Sequence, residues 1–220
     1  MDKFEIMNNS FYFINHSGKS KHCYISEDLT FVDFFCHSCV ECGRDIPVAK
    51  YSQENHQLLI DGGKEYPDLL QFCGAGDRIT VFSERTVDIF VENRISGFSV
   101  DSKAELFRSY HRKIIPEEYA PTYYILNIFG KIDYDYKSMF LKKKHFCPLC
   151  GRFELNCQRL YPAFFDISTW DGHDLCSLST FPGRKVCTEK VIDIVKKNGL
   201  TGFDFEEVKI HDEWCRKSDI

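Results

Sequence analysis

The sequence contains no long apolar run. No stretch of its 220 residues approaches the roughly 18 consecutive apolar residues that a membrane-spanning helix requires, so we expect no membrane partner. Residues 1–14 carry Asp2 and Glu5 among apolar residues, and they lack the basic segment and the small-residue cleavage site of an export signal. No low-complexity tract is present either, which argues against disorder. We therefore expect a folded, cytoplasmic protein.

Positive charge is scarce relative to negative charge. The chain has 28 Lys and Arg residues against 33 Asp and Glu residues, a formal net charge of −5. Proteins that hold nucleic acid through its phosphates usually have a basic surface, so this balance argues against a nucleic-acid partner and favours a basic protein partner. The run Lys142–Lys144 is short, and such runs are more often solvated loops.

Nucleotide-binding and catalytic signatures are also lacking. Gly74-Ala75-Gly76 has neither the lysine of a phosphate-binding loop nor the third glycine of a dinucleotide fingerprint. His173, Asp174 and Cys176 lie close in sequence, but no nucleophile signature surrounds the cysteine. A turn aspartate and a packed cysteine are the simpler interpretation. We expect the chain not to be an enzyme.

Cysteine, by contrast, is abundant. Eleven cysteines in a chain without an export signal indicate a reducing compartment, where thiols bind metals or pack in the core. Two segments, 39–44 and 147–152, share the pattern CxxCGR. We call these segments the first and the second knuckle. In each knuckle a tight turn directs two thiolates at one metal ion, and the glycine lets the backbone turn beneath that ion. The predicted ligands of one structural Zn²⁺ are Cys39, Cys42, Cys147 and Cys150.

The spacing of the cysteines is also compatible with other interpretations. A single CxxC is also typical of a redox pair, and four reduced cysteines also pack as small apolar residues. Cys36 extends the first knuckle to CxxCxxC, so spacing alone does not decide which two of its three cysteines bind metal, although only Cys39 and Cys42 match the second knuckle. Spacing does not separate zinc from iron. Four thiolates leave zinc no open position for water, which favours a structural role over a catalytic one.

A second pattern also occurs twice. Residues 83–98 and 188–203 align without a gap at an offset of 105 (188 − 83), and the knuckles align at 108 (147 − 39). Both segments place apolar residues at helical spacing after Ser83 or Thr188, an N-cap residue, and both end in a Gly-Phe turn. We interpret the two nearly synchronous repeats as an internal duplication.

The predicted fold is α+β, with two pseudo-symmetric lobes from the duplication joined by a zinc-ribbon-like site of four cysteines. The first lobe spans residues 1–130 and the second spans 131–220, together forming one compact unit. A strand is expected within 120–130, with 131–140 pairing back on it. Each lobe would supply half of the metal site, so the free energy of metal binding would also stabilise the packing of the two lobes.

Several of these segments resemble a known family. The paired CxxCG motifs, the turn Trp170-Asp171-Gly172-His173-Asp174-Leu175, the segment Phe181-Pro182-Gly183 and the block 188–203 are similar to the double-CXXCG motif proteins of myxobacteria. The resemblance implies an immunity protein that neutralises a cognate toxin domain by stoichiometric binding. It also implies metal ligation by the four knuckle cysteines, and it supplies no catalytic residue.

Zinc ribbons also serve in nucleic-acid binding and transcription, and this is the alternative function. It predicts affinity for DNA or RNA that falls steeply with salt. The negative net charge favours the immunity hypothesis.

Overall fold

A computed structural model gives the fold. It describes residues 10–17, 21–26, 34–38, 40–41, 45–49, 57–73, 79–110, 113–135, 143–144, 154–155, 164–178 and 184–210. All structural statements below concern these residues. Neither α-helix among them is long and apolar enough to cross a lipid bilayer.

The described residues form seventeen strands and two α-helices, which confirms the α+β class. The elements before residue 120 are β1 (Phe11–His16), β2 (Cys23–Ser26), β3 (Phe34–Ser38), β4 (Asp45–Ala49), β5 (Gln57–Gly62), β6 (Leu69–Cys73), β7 (Thr80–Ser83), α1 (Glu84–Glu92), β8 (Phe98–Tyr110) and β9 (Lys113–Pro116). Those after it are β10 (Tyr123–Ile128), β11 (Gly130–Tyr134), β12 (Lys143–Lys144), β13 (Glu154–Leu155), β14 (Phe164–Asp166), β15 (Leu175–Leu178), β16 (Lys185–Thr188), α2 (Glu189–Lys197) and β17 (Phe203–Ile210).

Two sheets curl until their first and last strands pair. Sheet A has the order β10-β7-β6-β2-β5-β8, with β10 also paired to β8 and with β9 added beyond β8. Sheet B has the order β1-β16-β15-β11-β14-β17, with β1 also paired to β17. Six strands of each sheet therefore form a closed ring in which every strand has two neighbours.

The two rings have the same pairing pattern. Reading each from β10 or β1, the third and fourth strands pair in parallel, the fifth and sixth pair in parallel, and the other pairs are antiparallel. The five strands other than β10 and β1 occur in the same chain order in both rings, while β10 comes last along the chain in sheet A and β1 comes first in sheet B. The repeat thus extends to the sheet topology, well beyond the helix segments that the sequence pattern identified.

Five strands of each ring come from one stretch of chain, β2 to β8 in sheet A and β11 to β17 in sheet B, and the sixth is not the strand that leads into that stretch. β10 directly precedes β11 of sheet B but lies in sheet A, whereas β1 precedes β2 of sheet A but lies in sheet B. The registers match, since Tyr123 lies opposite Ser83 and Phe11 lies opposite Thr188. The leading strands β1 and β10 are therefore exchanged between the rings.

This exchange bears on two expectations from the sequence. The strand predicted within 120–130 is present as β10, which pairs with β7 and β8. Its predicted pairing with 131–140 is wrong for residues 131–134, which belong to β11 and pair with β14 and β15, and residues 136–140 lie outside the described residues. The lobe boundary predicted after residue 130 falls one residue into β11, and β1 of the first range lies in sheet B. The division into lobes at residue 130 stays a prediction.

The two helices begin and end at equivalent residues. The side chain of Ser83 accepts a hydrogen bond from the backbone N–H of Thr86 (3.2 Å), which caps the first turn of α1. Asn93 and Asn198 follow the two helices, and each donates its side-chain amide to the carbonyl four residues earlier at 2.8 Å. Both helices predicted from the sequence are confirmed.

Buried apolar side chains form three clusters. One fills sheet A and includes Val81 and Tyr123, and a second fills sheet B and includes Phe11 and Phe165. The third contains residues of both helices and of both sheets, including Phe82, Phe90 and Val195. Side chains of a strand alternate between its two faces. Val81 therefore lies in the core of sheet A, whereas its neighbour Phe82 lies in the shared core and packs edge-on against Phe90 of α1, with ring centroids 5.5 Å apart. The helices thus pack together in a core shared by both rings.

A pair of aspartates connects the two halves crosswise. Asp68, which directly precedes β6, accepts hydrogen bonds from the Ser83 hydroxyl (2.8 Å) in its own half. Its other carboxylate oxygen accepts from the backbone N–H (2.8 Å) and the hydroxyl (3.1 Å) of Thr201, which follows α2. Arg85 lies 3.3 Å from that same oxygen. A buried carboxylate is stabilised only when such donors surround it.

Asp174, which directly precedes β15, makes the corresponding contacts in the opposite direction. It accepts from the Thr188 hydroxyl (3.2 Å) in its own half and from the backbone N–H (2.9 Å) and hydroxyl (3.0 Å) of Ser96, which follows α1. Lys190 lies 3.0 Å from the oxygen that Ser96 contacts. We call Asp68 and Asp174 the crossed aspartates.

A glycine follows each of these cross-contacts. Gly97 and Gly202 have positive φ angles of 95° and 87°. A Cβ at Gly97 would lie 2.0 Å from the carbonyl oxygen of Leu175, and one at Gly202 would lie 2.5 Å from that of Leu69. Only glycine permits both the backbone conformation and this close approach. The predicted Gly-Phe turns are therefore the points where each half touches the other.

Replacing Asp68 by alanine should destabilise the whole protein. The substitution removes the acceptor of the buried Ser83 hydroxyl and of the partly buried Thr201 N–H, at a cost of about 3 kcal/mol. For a chain of this size that lowers Tm by roughly 10 °C. Calorimetry measures the shift, and Asp101→Ala, at an exposed position on β8, is the control. Equal Tm values for Asp68→Ala and the control would contradict the role given to Asp68.

Candidate metal centre

The first knuckle connects two paired strands. β3 and β4 are antiparallel, with Ser38 opposite Asp45, so residues 39–44 form the connection at the end of a hairpin. Within it Val40 and Glu41 form a turn, and Val40 is 91% exposed. The predicted ligands Cys39 and Cys42 lie outside the described residues. The chain thus enters the first knuckle directly from the end of β3 and leaves it at the start of β4.

The second knuckle has a similar setting. β12 and β13 pair antiparallel, with Lys144 opposite Glu154, and residues 145–153 connect them. Cys147 and Cys150 also lie outside the described residues. Both knuckles thus occur in the connection between two antiparallel strands, which is the local arrangement of a zinc ribbon.

Cys36 has a different backbone position from the knuckle cysteines. It lies within β3, opposite Pro47, two residues before the strand ends. Cys39 and Cys42 both follow the strand. The three cysteines of the CxxCxxC pattern therefore divide into one strand residue and two residues of the connection.

No group of three or more His, Cys, Asp or Glu side chains that could hold a metal ion occurs in the part of the chain that the structure describes. The predicted ligands fall outside that part. The zinc site therefore stays a prediction that rests on the knuckle pattern and on the two hairpins.

Three further cysteines are buried in the rings. Cys23, Cys176 and Cys187 are free thiols, each 1% exposed or less. Burial raises the pKa of Cys23 to about 11 and that of Cys176 to about 12, and it raises the pKa of Cys187 well above its usual value. Since the thiolate is the form that binds metal and attacks carbon, these thiols are inert at neutral pH.

The sequence cluster around His173 is a structural turn. The Cys176 thiol donates to the backbone carbonyl of His173 (3.4 Å), and the indole N–H of Trp170 donates to the same oxygen (2.8 Å). The Trp170 ring packs edge-on against Phe11, with centroids 5.2 Å apart. Asp174 is engaged by Ser96 and Thr188. The predicted turn at residues 170–175 is confirmed, and Cys176 is a packed cysteine, as the simpler interpretation proposed.

Sequence reasoning did not identify the crossed aspartates as a pair. Their numbers differ by 106 (174 − 68), nearly the helix offset of 105, and both precede a Leu that starts a strand. That near-equality was the available signal. It is weak because Asp68 follows a proline and reads as an ordinary turn residue.

Comparison with protein-family models and with curated proteins gives no match to this chain.

Stability should fall in alkaline solution because of the buried thiols. An unfolded cysteine loses its proton near pH 9, whereas folded Cys176 keeps its proton to about pH 12. The folded state binds more protons between these values, so stability decreases as pH rises, by about 1.4 kcal/mol per pH unit for each such thiol. Urea unfolding of wild type and Cys176→Ala from pH 8 to pH 11 measures it. The variant should show a shallower loss, and parallel curves would refute the assignment.

Proposed function

We propose that this chain is an immunity protein that binds and neutralises a cognate toxin domain in the cytoplasm, with one structural zinc ion. The observation that carries the proposal is the placement of both CxxCG knuckles in hairpin connections. This supports the resemblance to the double-CXXCG motif proteins, whose defining feature is that pair of motifs. The proposed mechanism is occlusion by stoichiometric binding, with no catalytic residue.

The zinc would be held by Cys39, Cys42, Cys147 and Cys150. Four thiolates are a donor set that suits zinc, and two hairpin connections that each carry two cysteines are suited to sharing one ion. Bound there, zinc would fix the ends of the two hairpins together and contribute to folding. The strand position of Cys36 supports the choice of Cys39 and Cys42 over it.

We further infer that the two halves arose by internal duplication. The equal strand pairings of sheets A and B, the equivalent helix ends and the crossed aspartates support this origin. In the exchanged strands, Asn15 and Asn127 occupy equivalent positions, as do Tyr12 and Tyr124. A duplication explains why a 220-residue chain has two knuckles, each supplying half of one site.

The partner we propose is a basic protein domain, since the chain carries a net charge of −5. Membrane and nucleic acid are not among the proposed partners. Nucleic-acid binding is the competing outcome. Affinity for DNA or RNA that declines steeply with salt would replace the immunity proposal by a zinc-ribbon module.

The purified protein should contain one zinc ion per chain. Cys39→Ser and Cys147→Ser should each remove it, because a shared site loses its closed tetrahedral set when either knuckle is damaged. Elemental analysis under reducing conditions measures the content. Cys176→Ala, at a buried thiol in sheet B, is the control and should retain zinc. Retention of half the metal in each knuckle variant would indicate two separate sites, and iron in place of zinc would also contradict the proposal.

Co-expression with the toxin domain encoded beside the gene for this chain should restore growth of a sensitive host. The two proteins should co-elute at a one-to-one ratio in size-exclusion chromatography, because occlusion requires a stable complex. A chain carrying both Cys39→Ser and Cys147→Ser is the control and should protect poorly. Absence of both rescue and complex would refute the immunity function.

A further inference from the structure

The two helices occupy equivalent places but differ in charge at their last turn. Val91 and Glu92 of α1 correspond to Lys196 and Lys197 of α2 at the offset of 105 (196 − 91). All four residues are exposed, and the remaining positions of the two helices have nearly the same burial. Packing therefore does not require the difference.

The residues of α1 are the less favourable ones for the helix itself. Lysines near a helix C-terminus interact favourably with the partial negative charge there, and α2 has two of them. α1 has no basic residue in its last turn and ends in Glu92. In addition, Val91 is 63% exposed. Glu92 is therefore unfavourable for the helix dipole, and Val91 exposes apolar surface to water.

Negative charge extends along one face of α1. Glu84, Asp88 and Glu92 follow each other at intervals of four residues, so three like charges are neighbours on the helix surface. Val91 lies on the same face. In α2 the corresponding series ends in Lys197, which places a positive charge beside Asp193. We call Glu84, Asp88, Val91 and Glu92 the α1 acidic face.

The nearby cations do not neutralise this face in the described part of the chain. Arg85 is directed to Asp68 and to the carbonyl of Asn198 (2.6 Å). Glu84 accepts from the Tyr124 hydroxyl (3.0 Å), and no ion pair to Asp88 or Glu92 is found among the described residues. The face thus carries negative charge around an exposed apolar residue.

We propose that the α1 acidic face is the docking surface for the basic toxin domain, an inference that rests on the proposed immunity function. An opposing basic surface would relieve the repulsion among the three carboxylates and cover Val91. An apolar contact surrounded by complementary charges is the usual composition of a protein–protein interface. The equivalent face of α2, with its two lysines, lacks that complementarity and would stay outside the interface.

The chain supplies its own matched pair of variants for the test. Val91→Lys/Glu92→Lys gives α1 the last turn of α2, and the helix dipole predicts unchanged or higher Tm. Lys196→Val/Lys197→Glu makes the reverse exchange in α2. The probe is the purified, catalytically inactive toxin domain encoded beside the gene, and titration calorimetry at two salt concentrations measures Kd.

The α1 exchange should weaken binding by about 30-fold or more and reduce its salt dependence, because attraction at this face becomes repulsion. The α2 exchange should alter Kd less than about threefold, since no complementary charge is lost at the interface. Should the double variant fail to fold, Glu92→Gln alone should still weaken binding by about threefold or more.

Two results would overturn the inference while leaving the immunity function intact. One is wild-type affinity of the α1 exchange, and the other is an equal loss from both exchanges, which would reflect overall charge. Failure of the wild-type chain to bind the toxin domain would overturn the immunity function and the docking surface together.

Discussion

The rest of the structure depends on the hydrogen bonds of the crossed aspartates. Each carboxylate binds the N-cap hydroxyl before one helix and the backbone N–H that follows the other helix. The start of each helix is thereby fixed relative to the end of its counterpart. Both helices contribute buried side chains to the shared core, and the two rings close around separate cores of their own. The packing of the halves follows from this short list of directional contacts, since hydrogen bonds to buried charges tolerate little displacement.

Local features of the sequence were sufficient to predict the two helices and the turns that follow them. Ser83 and Thr188 precede apolar residues at helical spacing, and a glycine follows each helix at the point where the chain must turn. These signals depend on residues that are close together in the chain, so they can be recognised from the sequence alone. The same applies to the Trp170 turn, whose contacts to His173 and Cys176 lie within six residues of it.

The sheet pairing was beyond such reasoning. β1 pairs with residues 203–208, and nothing near Phe11 or Asn15 indicates a partner at that distance. Proximity in sequence favours a hairpin between β10 and residues 131–134, and that prediction was wrong because Gly130 begins a strand of the other ring. The predicted metal ligands were inferred from the spacing of the two CxxC patterns, which is a local signal.

The exchanged strands also impose an order on biosynthesis. β1 leaves the ribosome first, yet the strands on either side of it, β16 and β17, are among the last to be made. Sheet A lacks its closing strand until residue 128 has emerged. Neither ring is complete while the nascent chain is short. The apolar strand β1 therefore remains unpaired through most of translation, until β16 and β17 have been made. A chaperone that shields β1 as it emerges would therefore increase the yield of folded protein.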